Sequence, residues 1–92
     1  MTLSPANQTV VGGAKATFSG ANYTPNATVA IRYYAPQSSS SYTTSFTKAS
    51  CTGTISFQVT TKVAVLVTRV DKVIACDPVK PCSPAVKIGI LL

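Results

Sequence analysis

Apolar residues in this chain recur at every second position, in runs too short for a helical stripe. Ala14, Ala16 and Phe18 alternate with Lys15, Thr17 and Ser19. Ile55, Phe57 and Val59 alternate with Ser56 and Gln58, and Val86, Ile88 and Ile90 with Lys87 and Gly89. A period of two sends successive side chains to opposite faces of an extended strand, so each run predicts a strand with one buried and one wet face. Thr28 to Tyr34 continues the pattern, with Val29, Ile31 and Tyr33 on one face and Ala30, Arg32 and Tyr34 on the other. Thr9-Val10-Val11 is a shorter, edge-like piece, and Tyr42, Thr44 and Phe46 alternate with Thr43, Ser45 and Thr47. Val, Ile and Thr supply 29 of the 92 residues. Their branched Cβ suits a pleated strand and disfavours helix.

Turn signals separate the runs: Gly12-Gly13, Gly20 to Asn26 with Pro25, Ala35-Pro36-Gln37 followed by Ser38 to Ser41, Lys48 to Gly53, and Cys76 to Cys82. One stretch is ambiguous. In Lys62 to Cys76, the residues Val63, Leu66, Val67, Val70, Val73 and Ile74 also fit a helical stripe. Valine dominates it, so it reads as one long strand with a bulge at Val70-Asp71-Lys72. The chain is thus expected to be all-β, a single domain over residues 1–92, built as an antiparallel β-sandwich of about seven strands. Its expected core is Phe18, Val29, Ile31, Ile55, Phe57, Val59, Val65, Val67, Ile88 and Ile90.

Three cysteines stand at 51, 76 and 82. They allow three single-bridge pairings. Cys76 and Cys82 flank a Pro-rich turn, and two strands leaving it as a hairpin bring them within disulfide reach, so this is the favoured pair and Cys51 the odd one. Such a staple points to life outside the cytosol. Three N-x-Ser/Thr sequons, at Asn7, Asn22 and Asn26, point the same way as candidate glycosylation sites. The first residues lack the basic start and apolar run of a signal peptide, and the longest apolar run, Val63 to Val67, is too short to cross a bilayer. The chain reads as a domain cut from a longer surface protein, with Met1 supplied for expression.

Charge narrows the chemistry. Eight basic residues face two acidic ones, for a net charge of +6, with no His and no Glu. The only acidic side chains, Asp71 and Asp77, show no spacing that would make a catalytic pair, and Asp77 before Pro78 reads as a turn initiator. Cys51 has no His to activate it, three cysteines without His do not make a closed zinc site, and no phosphate-binding glycine motif occurs. The expectation is therefore no enzyme, no metal and no cofactor. Binding would rest on the positive surface and on tyrosines. Tyr23, Arg32, Tyr34 and Tyr42 are the candidate contacts, carried by the loops Ala21–Thr28 and Ala35–Tyr42. Arg32-Tyr33-Tyr34 sets a cation beside rings that could stack on bases, but the basic residues are spread evenly along the chain, without the dense cluster a nucleic-acid groove shows.

From Pro5 to about Val59 the order of features resembles the immunoglobulin-like domains of bacterial and archaeal surface proteins. The likeness is carried by Val11-Gly12-Gly13, by Thr17-Phe18-Ser19-Gly20, and above all by Tyr23-Thr24-Pro25-Asn26-Ala27-Thr28-Val29-Ala30-Ile31. Thr52-Gly53-Thr54-Ile55-Ser56-Phe57-Gln58-Val59 follows as a later strand entered through glycine. There is no Trp and no cysteine in the second strand, the hallmarks of the antibody type. The resemblance implies an immunoglobulin-like sandwich serving as a non-catalytic structural or adhesion module at a cell or virion surface. Its partner would be a protein or glycan. An alternative use of such domains is a self-assembling filament or coat subunit, in which an extended segment such as Thr2 to Val11 or Ile88 to Leu92 adds to a neighbour's sheet edge.

Overall fold

The computed structural model describes all of residues 1–92. Seven strands follow in order: β1 (Asn7–Val11), β2 (Lys15–Gly20), β3 (Thr28–Tyr34), β4 (Thr43–Lys48), β5 (Ile55–Thr60), β6 (Arg69–Cys76) and β7 (Val86–Leu91). Five form one sheet in the order β1-β7-β6-β3-β4, and the other sheet is the pair β2-β5. The buried positions of both sheets meet in one cluster of 16 apolar residues, among them Phe18 and Ile55 from the small sheet and Val29, Ile31, Val73, Ile88 and Ile90 from the large one. Alternation places them there, as each of these strands turns one apolar set inward. Phe57 is only partly buried, and its ring stacks on Phe18 across the β2–β5 ladder at 5.5 Å.

Two expectations are corrected. The pairing is not wholly antiparallel, because β1 runs parallel to β7, Asn7 opposite Lys87 through Val11 opposite Leu91. The cause is a strand that changes sheets. Ser4 bridges to Ser19 in β2, and from Asn7 onward the chain lies along β7, so the short Gly12-Gly13 turn joins strands of different sheets and not a hairpin. The second correction concerns Lys62 to Cys76. The strand begins only at Arg69, and Val65 and Val67 are 72% and 69% exposed, outside the core. There is no bulge either, since Val70, Asp71 and Lys72 pair in register with Gly89, Ile88 and Lys87. Here the chain crosses from the small sheet to the large one, and its backbone groups find partners off the ladder. Thr61 donates its N–H and hydroxyl to the Ala14 carbonyl, and Lys62 donates its N–H to the Tyr33 hydroxyl.

The connections gather at two ends. One end holds the β1–β2 turn, the β3–β4 loop, the 61–68 loop and Leu92. The other holds the β2–β3, β4–β5 and β6–β7 connections. At the second end Cys76 and Cys82 are disulfide-bonded with their Cα atoms 4.1 Å apart. Beside the bridge, Ser83 donates its N–H to the Ala75 carbonyl and its hydroxyl oxygen accepts the Ala75 N–H. Cys51 is free and exposed.

Tyr23, expected as an exposed contact, is 2% exposed. It turns inward from the β2–β3 connection and donates its hydroxyl to the Thr2 carbonyl at 2.8 Å, tying the first residues to the turn. Room for its backbone comes from Gly53, whose φ of 79° is one that L side chains rarely adopt and whose missing Cβ would strike the Tyr23 carbonyl. Tyr23→Phe removes the hydroxyl alone. It should lower stability by about 1 kcal/mol, read as a fall in thermal midpoint of roughly 4–8 °C.

Candidate functional site

The inward choice of Val29, Ile31 and Tyr33 in β3 leaves Arg32 and Tyr34 on the outer face of the five-stranded sheet. The register then assembles a cross-strand row. Tyr34 lies opposite Lys72, and Lys72 opposite Lys87. The Lys72 ammonium sits 4.5 Å from the centroid of the Tyr34 ring. The Tyr34 and Tyr42 rings are 5.0 Å apart and tilted by 49°, and the Arg32 guanidinium carbon lies 4.9 Å from the Tyr42 centroid. Cation–ring and ring–ring contacts of this kind hold the side chains in place while leaving N–H donors free to point outward. Tyr42 is 44% and Phe46 70% exposed, so the strip continues onto the edge strand β4. Lys72 and Lys87, directly opposed with like charge, disfavour each other in the bare sheet, a cost that a bound anion would offset.

No carboxylate side chain faces this strip, because both are used inside the fold. Asp71 is fully buried on the inner face of β6. It accepts Arg69 Nε at 2.6 Å and Nη2 at 3.0 Å, and the Tyr33 hydroxyl donates to it as well. Burial, reinforced by Asp71, pushes the Tyr33 hydroxyl pKa up, and the bond to Asp71 raises that of Arg69. Asp77 lies at the opposite end. It accepts the Thr24 N–H at 2.7 Å, the Thr24 hydroxyl at 2.9 Å, the Val79 N–H at 2.8 Å and the Lys80 N–H at 3.1 Å. Burial pushes the Asp77 carboxyl up, but these four donors outweigh it and hold it at about 2.

That depression has a signed consequence. Asp77 titrates near 3.8 when unperturbed and at about 2 in the fold. It therefore contributes stability that is fully present above pH 4 or so and is lost as the pH falls toward 2. Asp77→Asn should be less stable at neutral pH, and its stability should change less than that of the parent between about pH 4 and 2. Urea midpoints measured across that range check both statements.

Of the residues singled out in the sequence, Arg32, Tyr34 and Tyr42 come together, and Tyr23 is withdrawn into the core at the other end. The loops Ala21–Thr28 and Ala35–Tyr42 precede and follow β3 and so lie at opposite ends; they do not form one surface. Asn7, Asn22 and Asn26 are all exposed, the last two in left-handed turn positions that asparagine tolerates. Lys72, Lys87 and Phe46 join the site without having been expected there. Alternation alone could have marked each as outward, but only the register sets Lys72 between Tyr34 and Lys87, and Phe46 opposite Ala30.

No protein-family model matches the chain, and no curated protein matches it.

Two concavities mark the surface. One of ≈ 110 Å³ opens beside Tyr42, lined also by Tyr33, Ala35, Ser41, Thr43 and Lys62. The other, of ≈ 250 Å³, lies against the disulfide loop between Met1 and Pro84. Both are smaller than the roughly 300 Å³ at which small-molecule pockets begin, so the broad sheet face is the better candidate for recognition.

Proposed function

We propose that the chain is a non-catalytic, extracellular adhesion or structural module of immunoglobulin-like fold. It holds an acidic polymer of a cell or virion surface against the outer face of its five-stranded sheet. The observation that carries this reading is the strip Lys87–Lys72–Tyr34–Tyr42 with Arg32 beside Tyr42, cations and rings on one sheet face with no carboxylate side chain to oppose them. Amphipathic tyrosines and charged donors on a rigid sheet suit an anionic glycan. The fold assignment is supported by the order β1-β7-β6-β3-β4 over β2-β5, which parallels a C, F and G sheet facing strands B and E, and by a first segment shared between the two sheets. The Cys76–Cys82 bridge favours an oxidising compartment.

The same row favours a second reading. Arg32 beside Tyr42 and Tyr34 could stack on the bases of a single strand. Titration with heparin, as a soluble anionic glycan, and with short single- and double-stranded DNA and RNA, near physiological salt, separates the two. Saturable heparin binding that weakens with salt and is lost in Arg32→Gln and Tyr42→Ala is expected. Tighter, saturable nucleic-acid binding through the same residues would replace the first reading with the second. Self-association through the open edges β1 and β4, as in a filament or coat, would show as a mass that rises with concentration.

A further inference from the structure

The five residues Val63 to Val67 are the longest unbroken apolar run in the chain, and in the fold only the smallest of them, Ala64, is buried. Val63, Val65, Leu66 and Val67 are 66%, 72%, 89% and 69% exposed. A loop arranged for the stability of the domain alone would bury the larger side chains and expose the alanine. The base of the loop is nonetheless firmly held. The Tyr33 hydroxyl accepts the Lys62 N–H at 3.1 Å, and Arg69 donates to the carbonyls of Lys62 and Val63 at 2.8 and 3.1 Å. Gly12 lies so close that a Cβ on it would stand 2.7 Å from the Ala64 nitrogen and 2.9 Å from the Val63 Cα. At the tip, Leu66 has a φ of 73°, a left-handed conformation that leucine rarely adopts and that tends to persist where function requires it.

Charge at this end identifies what the tip can meet. Lys62 begins the loop and Lys15 follows the neighbouring turn, both exposed. Arg69 is matched by Asp71, and apart from the terminal carboxylate of Leu92 no acidic group is exposed on the molecule. A second copy of the chain would bring the same positive charge to the contact and no exposed acidic side chain to balance it. A bilayer containing anionic lipid offers both an apolar layer and negative headgroups.

We propose that the 62–68 loop is a peripheral membrane-binding tip. Val65, Leu66 and Val67 enter the interfacial layer of an anionic bilayer, and Lys15 and Lys62 rest among its headgroup phosphates. Apolar burial and electrostatic attraction act together in such contacts, and neither needs a membrane-spanning element. The tip adjoins the sheet face at Lys62, which lines the concavity beside Tyr42, but Val65, Leu66, Val67 and Lys15 lie outside that face, so Leu66→Ser and Lys15→Gln test the tip alone.

The chain contains no tryptophan, so Val67→Trp creates a single reporter at the tip; Val65→Trp is a second, should the first fold poorly by circular dichroism. Each is mixed with vesicles of phosphatidylcholine and phosphatidylglycerol, and with vesicles of phosphatidylcholine alone. A blue shift and quenching by brominated acyl chains are expected with the anionic vesicles, weakening as salt rises. In the reporter background, Leu66→Ser should lower vesicle affinity about tenfold, and Lys15→Gln and Lys62→Gln about fivefold each. An unshifted spectrum with anionic vesicles overturns the proposal. So does vesicle retention that Leu66→Ser leaves unchanged, which is adsorption by charge alone. A blue shift without vesicles that grows with protein concentration overturns it too, by placing a second copy on the tip.

Discussion

Arg69→Met should destabilise the domain by about 3–5 kcal/mol, the usual cost of stripping the partner from a buried charge. Asp71 is fully buried, and two of its bonds come from Arg69. In the variant only the Tyr33 hydroxyl still donates to the carboxylate. The same substitution frees the carbonyls of Lys62 and Val63, so the base of the 62–68 loop loosens as well. Against a total stability of about 5–15 kcal/mol, this is a large share of what holds the domain together. The double variant Arg69→Met/Asp71→Leu should recover most of the loss, because removing both charges also removes their desolvation cost. Denaturant unfolding of the three proteins checks this. A double variant no better than the single one would mean that the ion pair is not the source of the effect.

Cleaving the Cys76–Cys82 bridge is the second large perturbation. The bridge spans a sequence separation of six, so the loop it closes is short. The chain-entropy relation then gives about 2 kcal/mol of stabilisation, or a fall in thermal midpoint of roughly 8–16 °C on reduction. Cys82 is exposed, so reductant can reach the bond without prior unfolding. Alkylation without reductant should label Cys51 alone, and all three cysteines should be labelled after reduction. Labelling of Cys76 or Cys82 in the unreduced protein would contradict the bridge.

The strands were legible because alternation is a local signal. Val29, Ile31 and Tyr33 could be assigned inward, and Arg32 and Tyr34 outward, from seven consecutive residues. Lys62 to Val67 was not legible, because apolar character there does not bring burial. The segment is apolar but crosses between sheets, and its base is held by the Tyr33 hydroxyl and the Arg69 guanidinium, which belong to other elements. The parallel seating of β1 on β7 was not legible either, since no local feature of Asn7 to Val11 names a partner some eighty residues away. The cation–ring strip lies between these cases. Each member could be given a face by counting twos, whereas Lys72 meeting Tyr34 on one side and Lys87 on the other depends on register across three strands. Tyr23 was misplaced because a tyrosine beside Asn and Pro in a turn looks exposed until Gly20 and Gly53 are seen to make room for it.

The internal use of Asp71 and Asp77 reaches beyond stability. A protein surface usually mixes carboxylates with imidazoles, and its field grows more positive as the medium is acidified. This chain has no histidine, the side chain that ordinarily titrates between pH 5 and 8, and its two acidic side chains sit under hydrogen-bond donors inside the fold. Its positive surface is therefore nearly constant from neutral pH into the mildly acidic range. Whatever anionic polymer or lipid it meets, the strength of the contact is set by ionic strength and by the protonation of the partner, so a shift toward mild acidity would leave this side of the contact unchanged while added salt would release it.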